Sequence, residues 1–110
     1  MSGRGYVGLL LIDLHFPEAG SLKDKRAELR PVRERLRHMG LSVAEIDHHD
    51  RWQRATLAGA LAASSIGRLE ELADAVQRWL DARFESGAAV RRVVVSTGEL
   101  LDLGLEAGRV

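Results

Sequence analysis

The stretch SVAEIDHHDRWQRATLAGALAA, residues 42–63, decides the fold, because it predicts two strands in direct succession. Apolar and β-branched residues favour strands over Leu41–Ile46 and Ala55–Ala63, and the polar segment DHHDRWQ separates them. Parallel strands need a crossover connection of about a dozen residues or more, usually a helix. The short connection therefore predicts a β-hairpin in the middle of the chain.

A strand and a helix are predicted before this hairpin. Residues Tyr6–Phe16 are almost continuously apolar, which favours a strand. Ser21 with Asp24 three places later resembles a capping box, and Gly40 is typical of a helix end. Helical spacing connects the apolar residues between them, which are Leu22, Leu29, Val32, Leu36 and Met39. Pro31 removes one backbone donor inside this helix, so we expect a kink, or a helix assembled from two segments.

A second helix and a fourth strand are predicted after the hairpin. Ser64 and Ser65 offer an N-cap to a helix over roughly residues 66–84. Its apolar stripe consists of Leu69, Leu72, Ala73, Val76, Trp79, Leu80 and Phe84. Val90–Thr97 favours a strand, and the residues after it fit a short extension. We expect residues 104–110 to form a flexible tail.

The order of the elements is β-α-β-β-α-β. With short connections and right-handed crossovers, this order predicts a ferredoxin-like fold. We expect an α+β sandwich in which a four-stranded antiparallel sheet carries two helices on one face, as a single domain over residues 1–103. The predicted core contains Leu10, Ile12, Leu29, Val32, Leu36, Leu72, Val76 and Leu80.

Both faces of the predicted sheet are apolar. The first strand has Val7, Leu9 and Leu11 on one face and Leu10, Ile12 and Leu14 on the other. The third strand, ATLAGALAA, has almost no polar face either. Strands of this kind are usually covered on both sides, so we expect a second copy or another protein on the helix-free face. The alternative is that the small residues Ala58, Gly59 and Ala60 tolerate water.

The composition excludes several classes of function. The chain has 110 residues, 16 basic and 16 acidic side chains, and no cysteine. The neutral balance gives no overall attraction to nucleic acid or membrane, so such affinity needs a local patch. Disulfides, thiolate zinc sites and cysteine nucleophiles are excluded. The apolar run Val7–Ile12 is too short for a signal peptide or a membrane span, so we expect a cytoplasmic protein, and we expect no cofactor.

Asp47, His48, His49 and Asp50 form the first candidate site. Two imidazoles and two carboxylates suit a divalent metal ion if a turn brings them together, although adjacent strand residues point to opposite faces. A hairpin connection in which Asp47 and Asp50 cap backbone donors explains the same residues without a ligand. A pH-sensitive or RNA-contacting role is a third alternative. We favour the hairpin connection and predict no metal ion.

Trp52, Gln53 and Arg54 form the second candidate. Trp52 could stack on a base while Arg54 holds its phosphate. A tryptophan in such a loop more often folds back over the core, with its indole N–H bonded to a carbonyl. We expect this lid, and we keep Trp52 and Arg54 as auxiliary RNA contacts if the hairpin turns toward the first helix.

The first helix carries the strongest electrostatic pattern. Five cations at spacings of three and four share one of its faces: Lys23, Arg26, Arg30, Arg33 and Arg37. The stripe is roughly 21 Å long at about 1.5 Å per residue. Residues 21–38 hold seven Lys or Arg against three acids, a local charge of +4. This pattern predicts phosphate binding, with Arg30 and Arg33 in solvent; the alternative is a solvated face on which Arg30 and Arg37 pair with Glu34.

No motif in the sequence predicts catalysis. Asp13 with His15, and Glu45 with Asp47, share strand faces and could form a carboxylate–imidazole pair between strands. The sequence contains no glycine-rich phosphate loop and no nucleophile elbow. We therefore expect a binding protein and not an enzyme.

Two blocks of the sequence resemble a known family. The blocks are S-L-K-[DE]-K-R, here Ser21–Arg26, and S-V-A-E-x-D-[HN]-x-D-x-W-Q-R-A, here Ser42–Ala55. Together they are specific, and the chain resembles the YlxP-like family of small bacterial proteins of unknown function from about Tyr6 to Thr97. The resemblance implies a ferredoxin-like fold and no established activity. Members are often encoded beside transcription-termination, translation-initiation and ribosome-maturation factors, which implies an association with the ribosome or RNA.

The sequence as a whole predicts a protein that binds structured RNA or the ribosome through the stripe on the first helix. The alternative is a homo-oligomeric or protein-binding module that uses the apolar face of the sheet.

Overall fold

Four strands and three helices make up the part of the chain that the structure describes. The structure is a computed structural model that describes the backbone of residues 4–107 and the side chains of residues 4–103. The elements are β1 (Tyr6–His15), α1 (Leu22–His38), β2 (Ser42–Asp47), β3 (Arg54–Ala63), α2 (Ile66–Arg83), β4 (Ala89–Ser96) and α3 (Thr97–Ala107).

The strands form one antiparallel sheet with the order β2-β3-β1-β4. At the centre of the sheet, Leu10 of β1 lies opposite Gly59 of β3 and Arg92 of β4. α2 packs on β1 and β3, and α1 packs beside it toward the β2 edge. The predicted α+β architecture with a ferredoxin-like arrangement is confirmed.

Side chains at the helix starts explain where α1 and α2 begin. The Ser21 Oγ accepts a hydrogen bond from the Asp24 N–H at 3.0 Å, and the Asp24 Oδ2 accepts one from the Gly20 N–H at 2.9 Å. The Ser65 Oγ accepts a hydrogen bond from the Arg68 N–H at 3.2 Å. α1 runs as one uninterrupted helix through Pro31, and the expected kink stays a prediction.

The core lies between the helices and one face of the sheet. Seven of the eight predicted core residues are at most 3% exposed: Leu10, Ile12, Leu29, Val32, Leu36, Val76 and Leu80. Leu72 is partly buried against this cluster. The Arg35 guanidinium carbon lies 6.0 Å from the centroid of the Trp79 ring, a cation–π contact that joins α1 to α2.

The third helix, α3, was not predicted, and it replaces the expected short extension. It begins directly after β4, where the Thr97 N–H donates to the Gly5 carbonyl at 2.8 Å and the Thr97 Oγ1 accepts from the Gly5 N–H at 3.0 Å. The expected tail stays a prediction: residues 104–107 continue α3, and residues 108–110 lie outside the described residues. No helix within residues 4–107 has the length and hydropathy needed to cross a membrane.

The helix-free face of the sheet is apolar along Val7–Leu11 of β1 and Ala58–Ala62 of β3, as predicted from the sequence, and polar beyond them, where Asp13, His15, Arg54 and Thr56 lie. Along β1 the residues Leu10, Ile12 and Leu14 are buried, whereas Leu9 between them is 42% exposed. On the neighbouring strand β4, Val93 is 57% exposed. The predicted covering of this face by a second copy or another partner stays a prediction.

Candidate functional site

Four of the five predicted stripe cations line a groove between α1 and the β2 edge strand. The groove has a volume of about 460 Å³ and is lined by Arg26, Leu29, Arg30, Arg33, Glu34, Arg37 and Glu45. Lys23 is exposed one turn before the groove begins. The helical spacing therefore predicted a continuous basic surface on α1. Because α1 packs against β2, most of this surface lies in a concave groove.

Arg33 lies deeper in this groove than the sequence predicted. We expected its side chain in solvent, but it is half-buried, because α1 packs against the edge strand β2. Its Nε atom is buried and has no hydrogen-bond partner in the described part of the chain. A buried N–H without a hydrogen-bond partner is unfavourable, so this position of the Arg33 side chain costs free energy.

The groove arginines are not neutralised by ion pairs. The predicted alternative paired Arg30 and Arg37 with Glu34, yet none of the ion pairs among the side chains of residues 4–103 involves these arginines. Glu45, the other carboxylate of the groove, is paired with Lys25. Four arginines against Glu34 leave a local charge of +3 along the groove.

Lys25 is the polar residue that sequence reasoning missed. Its side chain is 2% exposed, and its Nζ lies 3.3 Å from the Glu45 Oε2. The same Nζ donates to the His48 carbonyl at 2.8 Å and to the Arg54 carbonyl at 3.1 Å. Three acceptors match the three donors of an ammonium group, which offsets the cost of burying its charge. Lys25 thus fixes both ends of the β2–β3 connection to α1.

The DHHD segment forms a tight turn, as the favoured hairpin interpretation predicted. His48 has a φ of 63°, and its carbonyl accepts a hydrogen bond from the Arg51 N–H at 3.0 Å. The Asp47 Oδ1 accepts from the His48 N–H at 2.7 Å, so Asp47 caps a backbone donor. The His49 ring Nε2 lies 3.2 Å from the Glu45 carbonyl. Asp50 is exposed and lines a different depression.

The four DHHD residues are not arranged as a metal-binding cluster. Within the described residues, no group of three His, Asp or Glu side chains is placed to hold a metal ion. Asp47 and His48 contact each other, with 3.8 Å between the Asp47 Oδ2 and the His48 Nε2, whereas the His49 ring lies against the Glu45 carbonyl and Asp50 lines a separate depression.

Trp52 does not form the expected lid over the core. It is 53% exposed and lines a depression of about 390 Å³ together with His15 and Arg54. The core at this end is closed by Phe16 and Phe84, whose ring centroids lie 5.7 Å apart. Because these two rings already fill the space, the tryptophan remains in solvent.

Arg54 is separated from the arginine groove. Its neighbour Ala55 is buried beneath the helices, so the Arg54 side chain belongs to the opposite face of the sheet, where His15 is its cross-strand partner. Only its backbone carbonyl reaches Lys25. The structure therefore does not bring Trp52 and Arg54 together with the stripe as auxiliary contacts.

The carboxylates considered for catalysis have structural partners. The Asp13 Oδ1 accepts a hydrogen bond from the Thr56 Oγ1 at 2.6 Å across the β1–β3 pair. Glu45 is held by Lys25. Among the side chains of residues 4–103, neither Asp13 nor Glu45 pairs with an imidazole. The third carboxylate, Asp47, lies 3.8 Å from the ring of its sequence neighbour His48, so this contact does not join two strands.

Comparison with known proteins identifies the family. The sequence profile of the family described as "Protein of unknown function (DUF503)" matches residues 7–93. The chain belongs to this family. One relative, "Uncharacterized protein YlxP" of Bacillus subtilis (strain 168), is 35% identical over 65 residues, which cover 58% of this chain and 71% of that protein. Both findings confirm the resemblance to the YlxP-like family.

Among solved structures, a similar one is "De novo designed protein Foldit4". It matches with a TM-score of 0.52 and 10% identity, over 83% of this chain and 96% of that one. At this identity the likeness shows the fold alone.

Proposed function

We propose that this protein binds the phosphate backbone of structured RNA, including RNA of the ribosome, through the arginine groove between α1 and β2. The observation that carries the proposal is the set of four arginines on one concave surface without ion pairs. Arginine presents a planar fork of donors that matches phosphate oxygens, so an unpaired row of arginines favours a polyanion.

The length of the groove suits several phosphates. Arg26 and Arg37 are 11 positions apart in α1, which corresponds to about 16 Å along the helix axis. In double-stranded DNA one strand advances about 3.4 Å per nucleotide, and at a spacing of that order the groove has the length of about five phosphates. Arg33 lines the groove between Arg30 and Arg37 and adds a further guanidinium to this row.

The sheet itself offers little for the recognition of bases. RNA-binding modules that read bases on a sheet stack them on aromatic residues of the central strands. In this chain the central strands β1 and β3 contain Tyr6 as their one aromatic residue, at the start of β1. Backbone and shape recognition by α1 therefore fits the residues better than base stacking.

The choice of RNA over other polyanions is supported by the resemblance to YlxP-like proteins. Genes of that family often neighbour genes of ribosome-maturation and translation-initiation factors. A net-neutral molecule with one local charge of +3 also suits a partner that presents many phosphates at fixed spacing.

Charge reversal in the groove tests the proposal. The variant Arg30→Glu/Arg37→Glu changes two exposed groove residues, and it should lose binding to ribosomes by co-sedimentation and to a short RNA duplex by fluorescence anisotropy. Wild-type binding should weaken steeply between about 50 and 200 mM salt, with a logarithmic slope of about −3.6 for four phosphate contacts to a duplex.

The matched control is Arg68→Glu/Arg78→Glu on α2. It makes the same change in net charge at two exposed arginines that lie outside the groove. Arg68 is also three places after the N-cap Ser65, where glutamate is favourable. Equal loss of binding by both variants, or no wild-type binding at low salt, would contradict the proposal.

A further inference from the structure

The helix-free face of the sheet has a distinct relief in addition to its apolar character. On β1 it presents large side chains, Val7, Leu9 and Leu11. On β3 it presents small ones, which lie directly opposite in the register: Ala62, Ala60 and Ala58. A ridge of branched side chains on β1 thus runs beside a shallow trough on β3.

The outer strands continue the same relief. β4 adds Val93 and Val95 next to the ridge, where they lie opposite Leu9 and Val7. The exposed Arg91 lies on the same face of β4, opposite Leu11, and gives this end of the raised half a positive charge. β2 adds Ala44 next to the trough, opposite Ala58. The face therefore has a raised half, β1 with β4, and a lowered half, β3 with most of β2. Ile46, which is 49% exposed at the β2 bulge, stands at the rim of the lowered half.

A surface with one raised and one lowered half is complementary to itself. If a two-fold axis runs between β1 and β3, parallel to them, then the ridge of one copy lies over the trough of the other. The same operation places β4 over β2. A partner without this relief would leave voids over the alanines, which forfeit contacts because packed interfaces tolerate few gaps.

We propose that two copies of this chain pair face to face through the open side of the sheet, with the β1 ridge of each copy in the β3 trough of the other. Because the proposed partner is a second copy, the contact is isologous and closes on itself. The inference is independent of RNA binding, since α1 and its groove lie on the other side of the sheet.

The size of the face sets the expected strength of the dimer. Four strands about 4.8 Å apart, over about eight residues of 3.3 Å each, give a flat area of roughly 500 Å². Both copies together bury about 1,000 Å², slightly below the range of about 1,200–2,000 Å² for stable interfaces. We therefore expect a reversible dimer that dissociates in the micromolar range, which analytical ultracentrifugation can follow.

The first test places a charge on the ridge. Leu9→Asp should raise the dissociation constant about a hundredfold or more, because the proposed contact places the charged carboxylate over alanines of the partner, which offer it no hydrogen bond. Val93→Asp, on the exposed edge strand, should act in the same direction if Leu9→Asp fails to fold. The matched control Ile66→Asp changes an exposed apolar residue at the start of α2, and it should remain a dimer.

The second test distinguishes shape from general hydrophobicity. Ala60→Phe adds apolar surface in the trough. If the two faces associated through hydrophobicity alone, without a specific fit, this variant would dimerise more strongly. The proposed fit predicts the reverse: the ring occupies the space of the partner's ridge and the dimer weakens.

Three results would overturn the proposal. The first is a wild-type protein that is monomeric at about 100 μM, a concentration well above the expected micromolar range. The second is a Leu9→Asp variant that is folded and still dimeric. The third is an Ala60→Phe variant that dimerises more strongly than the wild type. Circular dichroism of each variant establishes that it is folded before the comparison.

Discussion

The Lys25–Glu45 pair is the residue-scale feature on which the site depends most. Lys25→Met should lower the free energy of unfolding by about 3–5 kcal/mol, because it leaves Glu45 and two carbonyls without their shared donor. Urea denaturation measures this loss. Restored stability in Lys25→Met/Glu45→Leu, where an apolar pair replaces the ion pair, would show that the single variant suffers from an uncompensated charge.

A loss below about 1 kcal/mol in Lys25→Met would contradict the buried network, since removing a single solvated lysine costs little. The control Lys23→Met removes a lysine two positions earlier that is exposed. Its free energy of unfolding should stay close to that of the wild type.

The sequence contained part of the information about Lys25. Lys25 continues the helical spacing of Leu22, Leu29 and Val32, so the sequence alone places a charged residue within the apolar stripe of α1. Its acceptors could not be predicted, because two of them are backbone carbonyls 23 and 29 positions away. Those carbonyls converge only through the left-handed turn at His48.

At the scale of the elements, Pro31 is a residue that destabilises the helix in which it lies. It lies exposed inside α1, where proline removes one intrahelical hydrogen bond and crowds the preceding turn. Pro31→Ala should raise the free energy of unfolding by about 1–3 kcal/mol. Alanine is more favourable than proline inside a helix, and this gain is partly offset because the unfolded chain becomes more flexible without the proline. Thermal and urea denaturation measure the change.

Pro17→Ala provides the control, because Pro17 lies in the exposed turn between β1 and α1. Removal of proline from a turn gives no helical hydrogen bond and frees the unfolded chain, so stability should fall slightly or stay unchanged. If both substitutions change stability by the same amount, the position of Pro31 inside a helix does not explain the effect of Pro31→Ala.

The elements that share the core were predictable to within one or two residues. Their periodicity and their caps indicate the same bounds, as at Ser21 and Ser65. α3 was missed although Ser96 caps it, with the Glu99 N–H donating to the Ser96 Oγ at 3.2 Å. Leu101 and Leu103 of α3 are each 67% exposed, so these leucines do not form the buried apolar stripe by which α1 and α2 were predicted.

At the scale of the whole molecule, the proposed dimer determines how the two grooves are presented. The open faces of the two sheets meet in the middle, so the α1 and α2 layers lie outside. The arginine grooves therefore lie on opposite outer sides of the dimer. No straight duplex can contact both grooves, whereas a large folded RNA or two neighbouring RNA segments can.

Bivalence of this kind predicts a difference between small and large RNA. The monomeric variant Leu9→Asp should bind a short RNA duplex as tightly as the wild type, because each groove is complete within one chain. Its binding to whole ribosomes should weaken about a hundredfold, because the second groove no longer binds at high effective concentration. Fluorescence anisotropy with the duplex and co-sedimentation with ribosomes measure the two affinities. Unchanged ribosome binding by Leu9→Asp would mean that each groove acts alone, and loss of duplex binding would mean that the groove depends on the dimer.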